Sequence, residues 1–116
     1  MCGFAGLAFT PARAVSRALL NDLGATLAHR GPDGQGIYAE GDAAIVHRRL
    51  AIIDLSTDAG QPFQRADHGA VLAFNGEIYN FHELKARLER DGESFRTASD
   101  TEVLLVELCR HGHDAL

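Results

Sequence analysis

Cys2 stands directly behind the start methionine. Removal of Met1 would place a thiol and a free α-amine on one residue, and such an amine titrates at about 7.7–8.0. Nucleophile and general base could then come from one residue. The competing reading is a small apolar thiol tucked into a first strand. Four further stretches carry more polar or glycine residues than their setting requires: HRGPDGQG (29–36), HRRLAIID (47–54), NGEIYN (75–80) and SDTEV (99–103). The first reads most simply as a loop that ends a helix. In HRRL, Arg48 and Arg49 are neighbours in an apolar strand, so alternation sends them to opposite faces. One of the two can face inward, and a fork-shaped guanidinium suits a carboxylate; a rim salt bridge is the alternative. Asn75-Gly76 is either a hairpin turn or an amide and an N–H converging on one oxygen, as an oxyanion requires. Asp100 either opens a helix capped by Ser99, with Glu102 completing a capping box, or accepts from a ligand ammonium.

These residues need elements to hold them. CGFAGLAF reads as a buried first strand. Thr10-Pro11 supplies a helix start, and Val15, Leu19, Leu20, Leu23 and Leu27 keep helical spacing to about His29. GIYAEGDAAIVHRRLAIID reads as two strands joined at Gly41-Asp42. STDAGQPFQRADHG reads as a polar loop, and AVLAFNGEIYN as a strand interrupted by Asn75-Gly76. FHELKARLERDG is a short amphipathic helix closed by Gly92, and DTEVLLVELCRHG a helix with an acidic start and basic end that suits its dipole. Helices with short-connected strands imply an α+β layered domain. Cys109, among Val103, Leu105 and Val106, reads as a core thiol; Tyr38, Tyr79 and the phenylalanines read as core. His111 and His113 are too few for a zinc site.

The 116 residues are sufficient for one domain, and 46% hydrophobic with 23% charged residues is an ordinary globular composition. The net charge of −5, with no basic run, argues against nucleic acid and anionic membrane as partners. Apolar runs stay far below the roughly 18 residues of a membrane span, and no secretory leader pattern opens the chain. Two cysteines make no disulfide framework, so the cytoplasm is the expected setting.

Taken together, MCGFAG, HRGPDGQG, HRRLAIID, NGEIYN and SDTEV, in that order and at these separations, resemble the N-terminal glutaminase domain of glutamine-dependent asparagine synthetases. These are class II amidotransferases, within the N-terminal-nucleophile hydrolases. HRGPD and the full NGEIYN favour the asparagine-synthetase branch, although β-lactam synthetases and polysaccharide-cluster amidotransferases look similar in this half. The resemblance covers residues 1–116. It implies the N-terminal part of a four-layer αββα sandwich with mostly antiparallel sheets, C-terminally incomplete, with the synthetase domain absent. It also implies roles: Cys2 as nucleophile with its own α-amine as base, and Asn75 and Gly76 as oxyanion donors. Arg49 would grip the glutamine α-carboxylate, with Leu50, Ala51, Ile52 and Ile53 lining the same pocket. Glu77 and Asp100 would receive the α-amine, and Arg30 and Gly31 would support the wall beside the nucleophile. The implied reaction is hydrolysis of L-glutamine through a Cys2 thioester, with no metal and no cofactor. ATP and Mg²⁺ are expected only for the synthetase domain, where ammonia would convert activated aspartate to asparagine. The rival expectations are a glutamine-binding or regulatory fragment without turnover, an amidotransferase with another acceptor, and an assembly piece that associates with itself or another chain.

Overall fold

A computed structural model describes residues 1–52 and 54–115. The chain is mixed α+β with antiparallel sheets, and it divides into two compact units that interleave in sequence. The first comprises Met1–Ala51, Gly60–Pro62 and Ala73–Gly76; the second comprises Ile52–Ala59, Phe63–Leu72 and Glu77–Leu116.

The first unit is built on a three-stranded sheet, β1 (Gly3–Ala8), β3 (Ala43–Arg49) and β2 (Gly34–Glu40), in the order β1-β3-β2. The β2–β3 hairpin turns at Gly41, whose φ of 58° is the left-handed value that favours glycine. Strand alternation divides the labour of β3. Ala44 and Val46 pack with Leu20 of helix α1 (Arg17–Thr26), joined by Ala5, Leu7, Val15, Leu23 and Ile37. Ile45, His47 and Arg49 take the other face. On the packed face Arg48 donates from Nε to the Gly24 carbonyl near the C-terminal end of α1, at 2.8 Å.

Several expectations change here. α1 starts at Arg17 rather than at Thr10-Pro11: Ser16 takes the cap position, its carbonyl accepting from Leu20 N–H at 3.2 Å. β1 is half-buried, with Phe4, Gly6 and Ala8 exposed, because only its Ala5–Leu7 side meets α1. β3 ends at Arg49, where Leu50 and Ala51 turn their backbone groups to other partners.

The second unit contains β4 (Phe63–Arg65) antiparallel to β5 (Ala70–Leu72), with α2 (Phe81–Arg90) and α3 (Asp100–His111). Phe81 and Leu88 pack on Val103 and Val106, with Ile78, Leu84 and Phe95 around them. The expected polar loop therefore contains a strand, and the expected strand at 70–80 shrinks to three residues. The reason lies in Arg65. It is buried because Asp67, Glu102 and the Ser94 carbonyl satisfy its guanidinium, so a polar-looking stretch enters the interior. Asp67 is held far below the ordinary carboxylate range by that guanidinium.

Ser99 caps α3 as expected, accepting from Thr101 N–H at 3.1 Å. The capping box does not form. Glu102 instead turns to Thr97, accepting from its N–H at 2.8 Å and its hydroxyl at 2.7 Å, and to Arg65 at 3.2 Å. Cys109 is exposed rather than a core thiol, because α3 directs Val103 and Val106, not Cys109, into its core. Tyr79 is also exposed, while Tyr38 is half-buried.

Candidate active site

Cys2 sits one step before β1, and the β1–β3 register decides what it meets. Gly3 pairs with Arg48, so Cys2 runs alongside the end of β3. Its Sγ lies 3.2 Å from the Leu50 N–H, which donates to it, and 3.5 Å from the Leu50 carbonyl, which accepts from it. One residue's two backbone groups thus fix the thiol. The Cys2 carbonyl accepts from Arg30 Nε at 3.1 Å, and the Arg30 side chain lies across Gly3, within 3.2–3.4 Å of where a Cβ would stand.

The loop after α1 wraps the end of β3. A Cβ at Gly31 would stand 2.4–2.6 Å from the Arg48–Arg49 peptide, so only glycine lets the loop pass. Asp33 then closes the wrap: its N–H donates to the Arg49 carbonyl at 3.0 Å, and its Oδ2 accepts from Ala51 N–H at 2.9 Å. Arg30 and Gly31 are therefore part of the frame around Cys2 and the end of β3. Asp33 belongs with them, although the sequence reading passed over it. Its carboxylate acts on a backbone amide far along the chain, and no side-chain pattern encodes that.

Asn75 and Gly76 lie in the same unit, on an irregular segment rather than in a hairpin turn. Gly76 is not among the glycines with positive φ, so the turn reading of Asn-Gly does not hold. The segment is gripped one residue earlier. Phe74 N–H donates to Gln61 Oε1 at 2.6 Å, and the Phe74 carbonyl lies 3.4 Å from His47 Nε2. His47 is fully buried and stacks on Phe4, ring centroids 6.5 Å apart. Burial pushes its pKa below the ordinary value, with the Arg49 charge adding to the effect and the Phe74 carbonyl opposing it. Arg49 shares that face of β3 by alternation, opposite to Arg48.

Glu77 and Asp100 belong to the second unit. Asp100 opens α3, is 5% exposed, and accepts from Ile78 N–H at 3.0 Å through Oδ2, which pins the residue next to exposed Glu77. Ile52 is exposed and also falls in the second unit, whereas Leu50 and Ala51 stay with Cys2. Ile53 lies outside the described residues. Among the described residues no group of three or more His, Cys, Asp or Glu side chains is arranged to hold a metal ion.

The first unit therefore holds a thiol, a cation on the β3 face and an amide-glycine pair on a braced segment. A thiol, a cation and amide donors are groups with which acyl-transfer chemistry can be carried out. Comparison with known proteins gives the class. The chain belongs to the glutamine amidotransferase domain family, whose match runs over residues 1–116. It is 40% identical over 121 residues to asparagine synthetase [glutamine-hydrolyzing] 1 of Bacillus subtilis (strain 168), covering 99% of this chain and 18% of that protein. It is 43% identical over 105 residues to asparagine synthetase [glutamine-hydrolyzing] 2 of Oryza sativa subsp. japonica, covering 90% of this chain and 17% of that protein. With asparagine synthetase B [glutamine-hydrolyzing] of Escherichia coli (strain K12) it shares 45% over 85 residues, which is 73% of this chain and 15% of that protein. The chain thus spans less than a fifth of the length of these relatives.

Proposed function

We propose that this chain hydrolyses L-glutamine to glutamate and ammonia, and that the ammonia serves ATP-dependent conversion of aspartate to asparagine in a synthetase domain of the same protein. The observation that carries the reading is the Cys2 thiol pinned to both backbone groups of Leu50, in a chain of the glutamine amidotransferase domain family. With Met1 removed, the Cys2 α-amine takes the thiol proton and Sγ attacks the glutamine side-chain carbonyl carbon. Charge develops on the carbonyl oxygen, where the Asn75 amide and the Gly76 N–H receive it. The protonated amine returns its proton to the leaving nitrogen, and ammonia departs from the γ-glutamyl thioester. Water, deprotonated by the same amine, then releases glutamate and restores the thiol.

Recognition of the amino-acid end follows from charge. Arg49 supplies the cation for the α-carboxylate, and Glu77 and Asp100 are assigned the α-ammonium. Every step above uses groups of this chain. ATP and Mg²⁺ would serve the synthetase reaction.

The test is direct. Glutamate and ammonia are assayed after incubation with L-glutamine, and acid-quenched protein is analysed by mass spectrometry. Loss of Met1 and a γ-glutamyl adduct on Cys2 are expected. Cys2→Ala should remove adduct and turnover together, while Cys109→Ala, altering an exposed thiol on α3, should retain both. Equal loss in the two variants, each folded, would overturn the Cys2 assignment.

A further inference from the structure

Phe74 is held at both of its backbone polar groups by side chains remote in sequence, one from β3 and one from the loop before β4. Its N–H donates to Gln61 Oε1 at 2.6 Å and its carbonyl lies 3.4 Å from His47 Nε2. We propose that Gln61 and His47 form a clamp on Phe74 and are positioning residues for the Asn75–Gly76 oxyanion donors. This rests on the glutaminase reading for its catalytic consequence, but the clamp itself is a matter of geometry.

The peptide plane makes the argument. The Phe74 N–H belongs to the plane joining residues 73 and 74. The Phe74 carbonyl belongs to the next plane, which also carries the Asn75 N–H. Each plane is rigid, so holding one atom of each leaves little freedom in the path that delivers the Asn75 side chain and the Gly76 N–H. Without a strand ladder or a hairpin at 73–76, ordinary secondary structure does not supply that restraint.

Both jaws are themselves anchored. His47 occupies the central strand, is fully buried, and stacks on Phe4. Its Nδ1 is buried without a hydrogen-bond partner, so the ring's hydrogen bond is the one from Nε2 to the Phe74 carbonyl. The proton therefore sits on Nε2, where it meets the carbonyl; the other tautomer would set lone pair against lone pair and bury an unsatisfied N–H. Gln61 is anchored by the sheet. Gly36, paired with His47 in the β2–β3 register, presents a bare α-carbon to the Gln61 backbone, and a Cβ there would stand 2.0 Å from the Gln61 carbonyl oxygen. Gly36 seats Gln61, Gln61 holds one side of Phe74, and His47 holds the other.

The experiment compares Gln61→Leu, which removes the acceptor, with Gln61→Glu, which keeps an oxygen at its place. His47→Leu and His47→Gln form a second, independent pair, the glutamine retaining an N–H donor. Each is made in the full protein with Met1 removed. Hydrogen exchange by mass spectrometry is read on the peptide spanning residues 73–78, beside a control peptide from β3. The leucine variants should accelerate exchange at 73–78 by about tenfold with the control unchanged, and the conservative variants should restore it. In glutamine hydrolysis the leucine variants should lose on the order of 10–100-fold in kcat with KM within about twofold, since misplaced donors weaken the transition state rather than substrate binding. Unchanged exchange at 73–78 in a folded leucine variant, or equal acceleration in β3, would overturn the clamp. Because exchange is measured without glutamine, it decides the clamp even if the wild-type protein releases no ammonia. If one pair fails to fold, the other reads the same quantity.

Discussion

Arg48 and Arg49 are adjacent in sequence yet face different tasks. Arg48 spends its guanidinium on the Gly24 carbonyl of α1, and Arg49 shares the face of His47. Arg49→Ala should therefore raise the KM for glutamine by about a hundredfold, roughly 2–3 kcal/mol for a lost charge-assisted carboxylate contact. Arg48→Ala should leave KM nearly unchanged and lower thermal stability instead. Steady-state kinetics and melting curves on the two variants check this, and the reverse pattern would place β3 in the wrong register. His47 gives a pH prediction. Its pKa is lowered by burial, so the folded protein binds this proton less readily than the unfolded chain does. Its stabilising effect is complete above the unfolded value of about 6.5 and is lost progressively as pH falls from there toward the folded pKa. Denaturant midpoints should decline below about pH 6.5 in the parent and decline less in His47→Gln; parallel curves would show that His47 is not responsible.

At the scale of elements, α3 and β4 depend on one buried carboxylate. Glu102 receives Arg65 as well as the N–H and hydroxyl of Thr97, and it is fully buried. Glu102→Ala would take away the buried carboxylate partner of Arg65, which is 5% exposed, leave Asp67 and the Ser94 carbonyl on it, and strip Thr97 of its acceptor. The change should cost about 3 kcal/mol in unfolding free energy. A loss below about 1 kcal/mol would mean that the pair is replaceable by solvent. This interior ion pair also explains where sequence reasoning stopped. The hairpin at Gly41, α2 and α3 were legible because turn chemistry and helical spacing are local signals. β4 was not, since three residues with a buried arginine look like a loop until Glu102 is known to lie beside them. The start of α1 was misread because Thr10-Pro11 and Ser16 both offer a cap, and the packing of Leu20 and Leu23 on β3 selects the later one. Cys2, Arg49 and Asn75-Gly76 could be singled out as side-chain chemistry. Asp33, His47 and Gln61 act on the backbone of distant residues, which a sequence does not display.

For the whole molecule, the outer strands of the three-stranded sheet matter, because among the described residues neither pairs with a strand other than β3. β1 and β2 are the outer strands, each hydrogen-bonded to β3. Outer strands with unpaired backbone groups promote association between copies. Residues 1–116 produced alone should therefore sediment as concentration-dependent oligomers and hydrolyse glutamine poorly. A protein extended toward the length of its relatives, of which this chain covers 15–21%, should be monodisperse and active. A fully active monomer of 116 residues would show that the edges need no further cover.

The two faces of β3 carry a last consequence. One side of this strand, with Ala44, Val46 and Arg48, faces α1, and the other carries Arg49 and His47, whose ring reaches the Phe74 carbonyl. Substitutions along 43–49 should therefore meet two separate constraints that change over from one residue to the next. A saturation library scored twice, once for cellular abundance and once for growth on the protein's activity, should give two tolerance profiles out of phase by one position. Abundance should fall at 44, 46 and 48, activity at normal abundance should fall at 49, and the buried position 47 should be sensitive in both scores. Profiles that rise and fall together would mean that the strand does not separate its duties in this way.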